Sequence, residues 1–100
     1  MRINVLKGRP AQQRKHEILI KSMQMYHDLI KTLIEIRTQL KLSQEELTEL
    51  TGIRQPVISR IETCASNPQL YTLLKLIVAY QYKVVIVPMD FDIESLLSDF

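Results

Sequence analysis

The stretch Ser43–Glu62, reading SQEELTELTGIRQPVISRIE, restricts what this chain can fold into more than any other segment. It carries two short helical patterns hinged at one glycine. Ser43 is placed to cap the first helix. Glu46, three residues on, completes a capping box that satisfies two otherwise orphaned backbone donors. Leu47 and Leu50 repeat at helical spacing. Gly52 stands where the chain has to take a left-handed backbone conformation, which glycine reaches at little steric cost. Ile53 follows as an apolar contact across the turn. The second helix is expected to begin at Gln55 and Pro56, because proline fits a first turn whose amides have no intrahelical partner. Ile58 and Ile61 then point to a core, leaving Gln55, Pro56, Ser59 and Arg60 as the opposite stripe.

That stripe has the chemistry of a DNA-reading surface. An α-helix fits the major groove of B-DNA, and the first residues of a recognition helix meet the base edges. The Gln55 amide can pair bidentately with adenine, and Arg60 with guanine or a phosphate. Pro56 offers apolar surface to a thymine methyl, and Ser59 is small enough to serve a base or a phosphate. Gln44, which opens the preceding helix, and Arg54, on charge grounds, are expected to contact phosphates. No acidic side chain lies on the presented stripe. A generic helix hairpin with a solvated polar face is the competing reading. The agreement of cap, turn glycine, apolar pair and polar stripe weighs against it.

On these residues, the segment from about Leu33 to Tyr80 resembles the Xre/Cro-type helix-turn-helix domain of phage repressors. With residues 83–88 added, it resembles antitoxins of HigA type and, less closely, of HipB type. The resemblance implies a mainly α, five-helix lambda-repressor-like fold that binds a palindromic operator as a homodimer. For antitoxins it also implies neutralisation of a toxin encoded alongside. The chain departs from the pattern in three places. Thr48 stands where a small alanine is usual at the helix crossing. Thr63-Cys64-Ala65 replaces an Asn-Gly-basic turn, and Gln81 replaces a common glycine.

One hundred residues suit one domain with a modest core. The formal net charge of +2 is too small to identify a nucleic-acid partner by itself, but its distribution is uneven. Basic residues from Arg2 to Lys41 crowd the first part, whereas Asp90, Asp92, Glu94 and Asp99 make the tail acidic. Cys64 is the single cysteine, which excludes an intrachain disulfide and suits a reducing cytoplasm. His16 and His27 share no metal-ligand spacing with it, and no nucleophile and base recur in a catalytic pattern. No enzyme activity and no cofactor are therefore expected. No apolar run reaches membrane-spanning length, so a cytoplasmic protein is expected.

Along the chain, Met1–Pro10 reads as an irregular leader with a short alternating piece at Ile3–Val5. Ala11–Lys41 has almost no helix breaker and reads as a long helix, broken at most once, with apolar positions at Ile18, Leu19, Met23, Tyr26, Ile30, Leu33, Ile34 and Leu40. Its first part exceeds what the repressor-like domain needs. The chain is accordingly divided into an N-terminal arm and helical extension (1–28), the DNA-binding domain (29–80), and a dimerisation strand with acidic tail (81–100). Asn67-Pro68 reads as a further helix start, followed by Leu70, Leu73, Leu74 and Ile77 on one face. Val84, Val85, Ile86 and Val87, β-branched throughout and ended by Pro88, read as a strand. A strand needs a partner for its backbone groups. The candidates are Ile3–Leu6 or, better, the same strand of a second subunit across a twofold axis. The tail, with Asp92 as a cap and Ile93, Leu96, Leu97 and Phe100 on one face, reads as a short amphipathic helix.

The favoured function is a dimeric antitoxin that represses its own operon and binds its toxin directly. Its recognition helices would lie about one DNA turn, roughly 34 Å, apart. The expected toxin is a RelE/HigB-like nuclease, less so a HipA-like kinase. Ile18, Leu19, Met23 and Tyr26 are the candidate toxin contacts, with the acidic tail as the other candidate surface. Two alternatives stand beside it: a stand-alone phage or host repressor without a toxin, and an interaction module of the same fold that has lost DNA binding.

Overall fold

The computed structural model describes Gly8 and residues 10–90. They form four helices: α1 (Ala11–Gln39), α2 (Gln44–Thr51), α3 (Gln55–Glu62) and α4 (Leu70–Ala79). The fold is thus mainly helical, but the expected five helices and C-terminal strand are both corrected. With no glycine or proline inside it, α1 runs unbroken for 29 residues, so the extension and the first domain helix are one element. The expected tail helix falls outside the described residues. Residues 82–88 are neither helix nor strand, and Ile86 is 94% exposed. An isolated run has nothing to pair its donors and acceptors with. The internal candidate at Ile3–Leu6 also lies outside the described residues.

The core is small and continuous. Ile30 and Leu33 of α1 meet Leu47 of α2, Ile53 of the turn, Ile58 and Ile61 of α3, and Leu73, Leu76, Ile77 and Tyr80 at the end of the chain's helical part. Only the C-terminal half of α1 takes part. Ile18, Leu19 and Met23 are exposed, Tyr26 is half-buried, and the burial of α1 begins in earnest at Ile30. Of the apolar residues at helical spacing, Leu50 and Leu70 turn outward. Leu47 is fully buried, but Leu50 is 62% exposed and lines a shallow apolar groove with Tyr71, Leu74, Lys75 and Val78. Helix α4 starts at Leu70, after Gln69, so Asn67-Pro68 precede the helix rather than cap it. The shift leaves Leu70 outside, and Leu76 fills the core instead.

The turns hold α2 and α3 in fixed relation. The Ser43 hydroxyl accepts from the Glu46 amide at 3.0 Å and the Glu46 carboxylate accepts from the Ser43 amide at 3.2 Å, which is the expected capping box. Gly52 has φ +76°, and its amide donates to Thr48 at 2.8 Å. The Thr51 hydroxyl then accepts from the Ile53 amide at 3.1 Å, aiming Ile53 into the core.

Candidate nucleic-acid interface

Helix α3 presents its first turn at the edge of the molecule. Arg54 precedes the helix, and Gln55 and Pro56 are its first two residues. Ile58 and Ile61 anchor the opposite side at essentially zero exposure. The stripe expected to read bases is therefore outward: Pro56 and Arg60 are exposed, and Gln55 and Ser59 are half-buried. Arg54 is also exposed, and neither it nor Arg60 forms an ion pair among the described residues. Both are consistent with cations held ready for an external anion.

Gln44 and Gln55 come together. The Gln55 Nε2 donates to Gln44 Oε1 at 2.6 Å, and the Gln44 Nε2 donates to Glu62 Oε1 at 2.9 Å. Arg37, from α1, closes the chain with a two-pronged grip on Glu62: Nε to Oε2 at 2.6 Å and Nη2 to Oε1 at 2.8 Å. Its third nitrogen, Nη1, donates to the Leu42 carbonyl at 2.8 Å. The hydrogen bonds to Glu62 raise Arg37 above its ordinary pKa, outweighing the opposing effect of burial. A series of four side chains from three helices thus ends at the tip of α3. Glu62, which the series reaches through Gln44, is paired with a guanidinium, which matters beside a polyanion.

Sequence reasoning placed Gln44 and Gln55 correctly at two helix starts but gave Gln44 only a phosphate to face. It counted Arg37 only among the basic residues that crowd the first part of the chain, and assigned Glu62 nothing. Contacts between residues 25 apart in sequence leave no periodic signature. Tyr26 is a second case: its hydroxyl donates to the Ser66 carbonyl at 3.2 Å, tying α1 to the loop after α3. The expected toxin contacts Ile18, Leu19 and Met23 remain on the open face of α1. Among the described residues there is no cluster of metal-binding side chains, and no helix long and apolar enough to cross a membrane.

Comparison with known proteins agrees with a helix-turn-helix fold. The helix-turn-helix family HTH_3 matches residues 33–86. An uncharacterised HTH-type transcriptional regulator of Haemophilus influenzae is 45% identical over 78 residues, which are 78% of this chain and 80% of the relative. A solved structure described as a toxin-antitoxin module from Streptococcus pneumoniae superposes with a TM-score of 0.59 at 39% identity, covering 75% of this chain and 81% of that one.

Proposed function

The chain belongs to the HTH_3 helix-turn-helix family, and on that premise we propose that it is a sequence-specific DNA-binding antitoxin of HigA type. In this reading it represses its own operon as a dimer and neutralises a cognate toxin by direct binding. The observation that carries the DNA part is the Gln44–Gln55 amide pair at the tip of α3, flanked by the exposed cations Arg54 and Arg60. Gln55, Pro56, Ser59 and Arg60 read bases in the major groove. Arg54 and the free amide proton of Gln44 hold phosphates, which supply most of the salt-sensitive affinity. The likeness to a toxin-antitoxin module supports the antitoxin role.

In this proposal two copies meet through Val84, Val85, Ile86 and Val87, each supplying the backbone partners the other lacks. The toxin, a nuclease of RelE/HigB type in preference to a HipA-like kinase, docks on the open face of α1 at Ile18, Leu19 and Met23, with Tyr26 at its inner end. A stand-alone repressor is the second reading, favoured by the relative described only as a transcriptional regulator. The neighbouring reading frame separates the two.

The test is a salt-titrated binding assay on DNA from upstream of the gene. Gln55→Ala should cost about 1–3 kcal/mol and relax one operator position. Arg54→Ala should weaken all sequences alike and reduce the salt slope by about 1. Equal affinity and selectivity for Gln55→Ala and the parent would remove the base-contact assignment.

A further inference from the structure

We propose that residues 91–100 dock, as a short amphipathic helix, into the apolar groove between α2 and α4 of their own chain. The groove shares no residue with the tip of α3 or with the open face of α1, so the proposal is independent of the DNA and toxin readings.

The groove has the chemistry of a covered surface. Leu50, at the end of α2, lines it together with Tyr71, Leu74 and Val78 of α4, and Leu50, Tyr71 and Val78 are all exposed. Adjoining exposed apolar side chains of this size mark a contact. The lining lacks the converging polar groups that orient a small molecule. The Thr51 hydroxyl is already used, donating to the Leu47 carbonyl at 2.7 Å and accepting from the Ile53 amide at 3.1 Å. The other polar lining group is Lys75, whose ammonium lies over the Tyr71 ring, 4.8 Å from its centroid. A fitting occupant is therefore a broad apolar face bordered by negative charge.

The chain itself carries such a face. Ile93, Leu96, Leu97 and Phe100 recur at i, i+3, i+4 and i+7, the spacing of one helical stripe. A helix this short is marginal alone in water and draws its stability from packing. Residues 91–100 hold Asp92, Glu94 and Asp99 and no lysine or arginine. Lys75, the charged side chain of the groove, forms no ion pair among the described residues. The two surfaces are thus complementary in charge as well as apolar.

The segment also reaches. Residues 81–90 lead away from α4 and are exposed throughout. From Ala79, which lines the groove, to Asp90 the backbone extends up to roughly 37 Å, against about 15 Å for the length of α4. That is enough chain to double back along the helix it follows. Docked there, residues 91–100 bridge the first helix of the helix-turn-helix pair to α4.

The experiment uses the full-length chain with Cys64→Ser and Ser95→Cys, which leaves one thiol for a nitroxide label, opposite the apolar stripe in helical spacing. The amide NMR signals of Leu50, Tyr71 and Val78 should lose most of their intensity relative to the same sample with the label reduced. Leu97→Asp, which puts a charge in the stripe, and Lys75→Glu, which reverses the charge in the groove, should each restore much of it. Lys75 is exposed, so its exchange leaves the core intact, and the remaining signals report that the fold is kept. No loss at the groove signals, or a loss undiminished by either substitution, overturns the proposal. Isotope-enriched chains without the label are also mixed with labelled chains that are not enriched. Groove signals unaffected in that mixture support docking within one chain. A loss there as large as in the singly labelled, enriched chain would put the segment on a second copy and overturn it.

Discussion

Cys64 and Gln81 occupy equivalent positions at the ends of α3 and α4, with left-handed φ of 57° and 69°. At each end the same pair of hydrogen bonds closes the helix. Cys64 and Ala65 amides donate to Ile61 and Arg60, and Gln81 and Tyr82 amides donate to Val78 and Ile77. Lys41 does the same after α1 with φ 58°. These are Schellman closures built without glycine, at positions where an L side chain crowds the following carbonyl.

Replacing Cys64 or Gln81 by glycine should therefore stabilise the fold by roughly 0.5–1 kcal/mol each, the strain relieved exceeding the entropy added to the unfolded chain. The reverse exchange, Gly52→Ala, should cost about 1 kcal/mol. A Cβ at Gly52 would meet nothing within 4 Å, so that cost comes from the backbone conformation at φ +76° alone. Urea denaturation of the three variants checks both signs. A destabilised Cys64→Gly with normal cooperativity would mean that the thiol contributes more than its backbone strain removes.

The Arg37–Glu62 ion pair is largely enclosed, with side-chain exposures of 17% and 11%. Arg37→Met should cost about 2–4 kcal/mol, because it leaves a carboxylate mostly out of water without its counterion. Replacing both partners, Arg37→Met with Glu62→Leu, should recover most of that loss. A double-mutant cycle by chemical denaturation measures this. Additive losses would show that the two side chains stabilise the fold independently.

Tyr80 is 2% exposed, and burial, followed by the charge of Glu62, pushes its hydroxyl up to about 12. In the unfolded chain a tyrosine loses its proton near pH 10. Between the two values the folded state binds the extra proton, so stability falls as pH rises. The loss should approach about 2–3 kcal/mol from roughly pH 10 to 12. Tyr80→Phe should lack that component of the alkaline slope. Identical slopes in thermal melts across this range would contradict the assignment.

Ile86 is the most exposed large apolar residue among the described ones, at 94%. Ile86→Lys should leave the melting temperature of a dilute monomer within a few degrees of the parent, since surface changes usually fall within about 0.5 kcal/mol. If the 84–87 segment joins two copies, the same change should weaken the dimer at least about tenfold in sedimentation equilibrium, by placing like charges across the axis. An unaltered dimer constant would locate the contact elsewhere.

The features legible in advance were local ones. Ser43 and Glu46 form the capping box that their spacing requires, Gly52 takes the left-handed turn, and Ile58 and Ile61 are buried at i and i+3. Each depends on neighbours within one or two turns of helix. The inward reading of Leu70 failed, and the exposure of Leu50 was not foreseen, because a helix of eight or ten residues buries a narrow stripe, and periodicity does not say which turn the core reaches. The series from Arg37 through Glu62 and Gln44 to Gln55 joins three helices, so it became visible only when α1, α2 and α3 were set in place. The left-handed Cys64 shows that a helix end can keep its closing hydrogen bonds after losing the residue that makes them easy.

The absence of any break between Ala11 and Gln39 has a mechanical corollary. At a rise of about 1.5 Å per residue the helix is a rod roughly 44 Å long. Ile18, Leu19 and Met23 on its outer turns are exposed, while its inner turns carry Ile30, Leu33 and the guanidinium of Arg37. Lacking a joint to absorb it, a sideways force on Ile18 or Met23 reaches the root as a moment that grows with the distance between them.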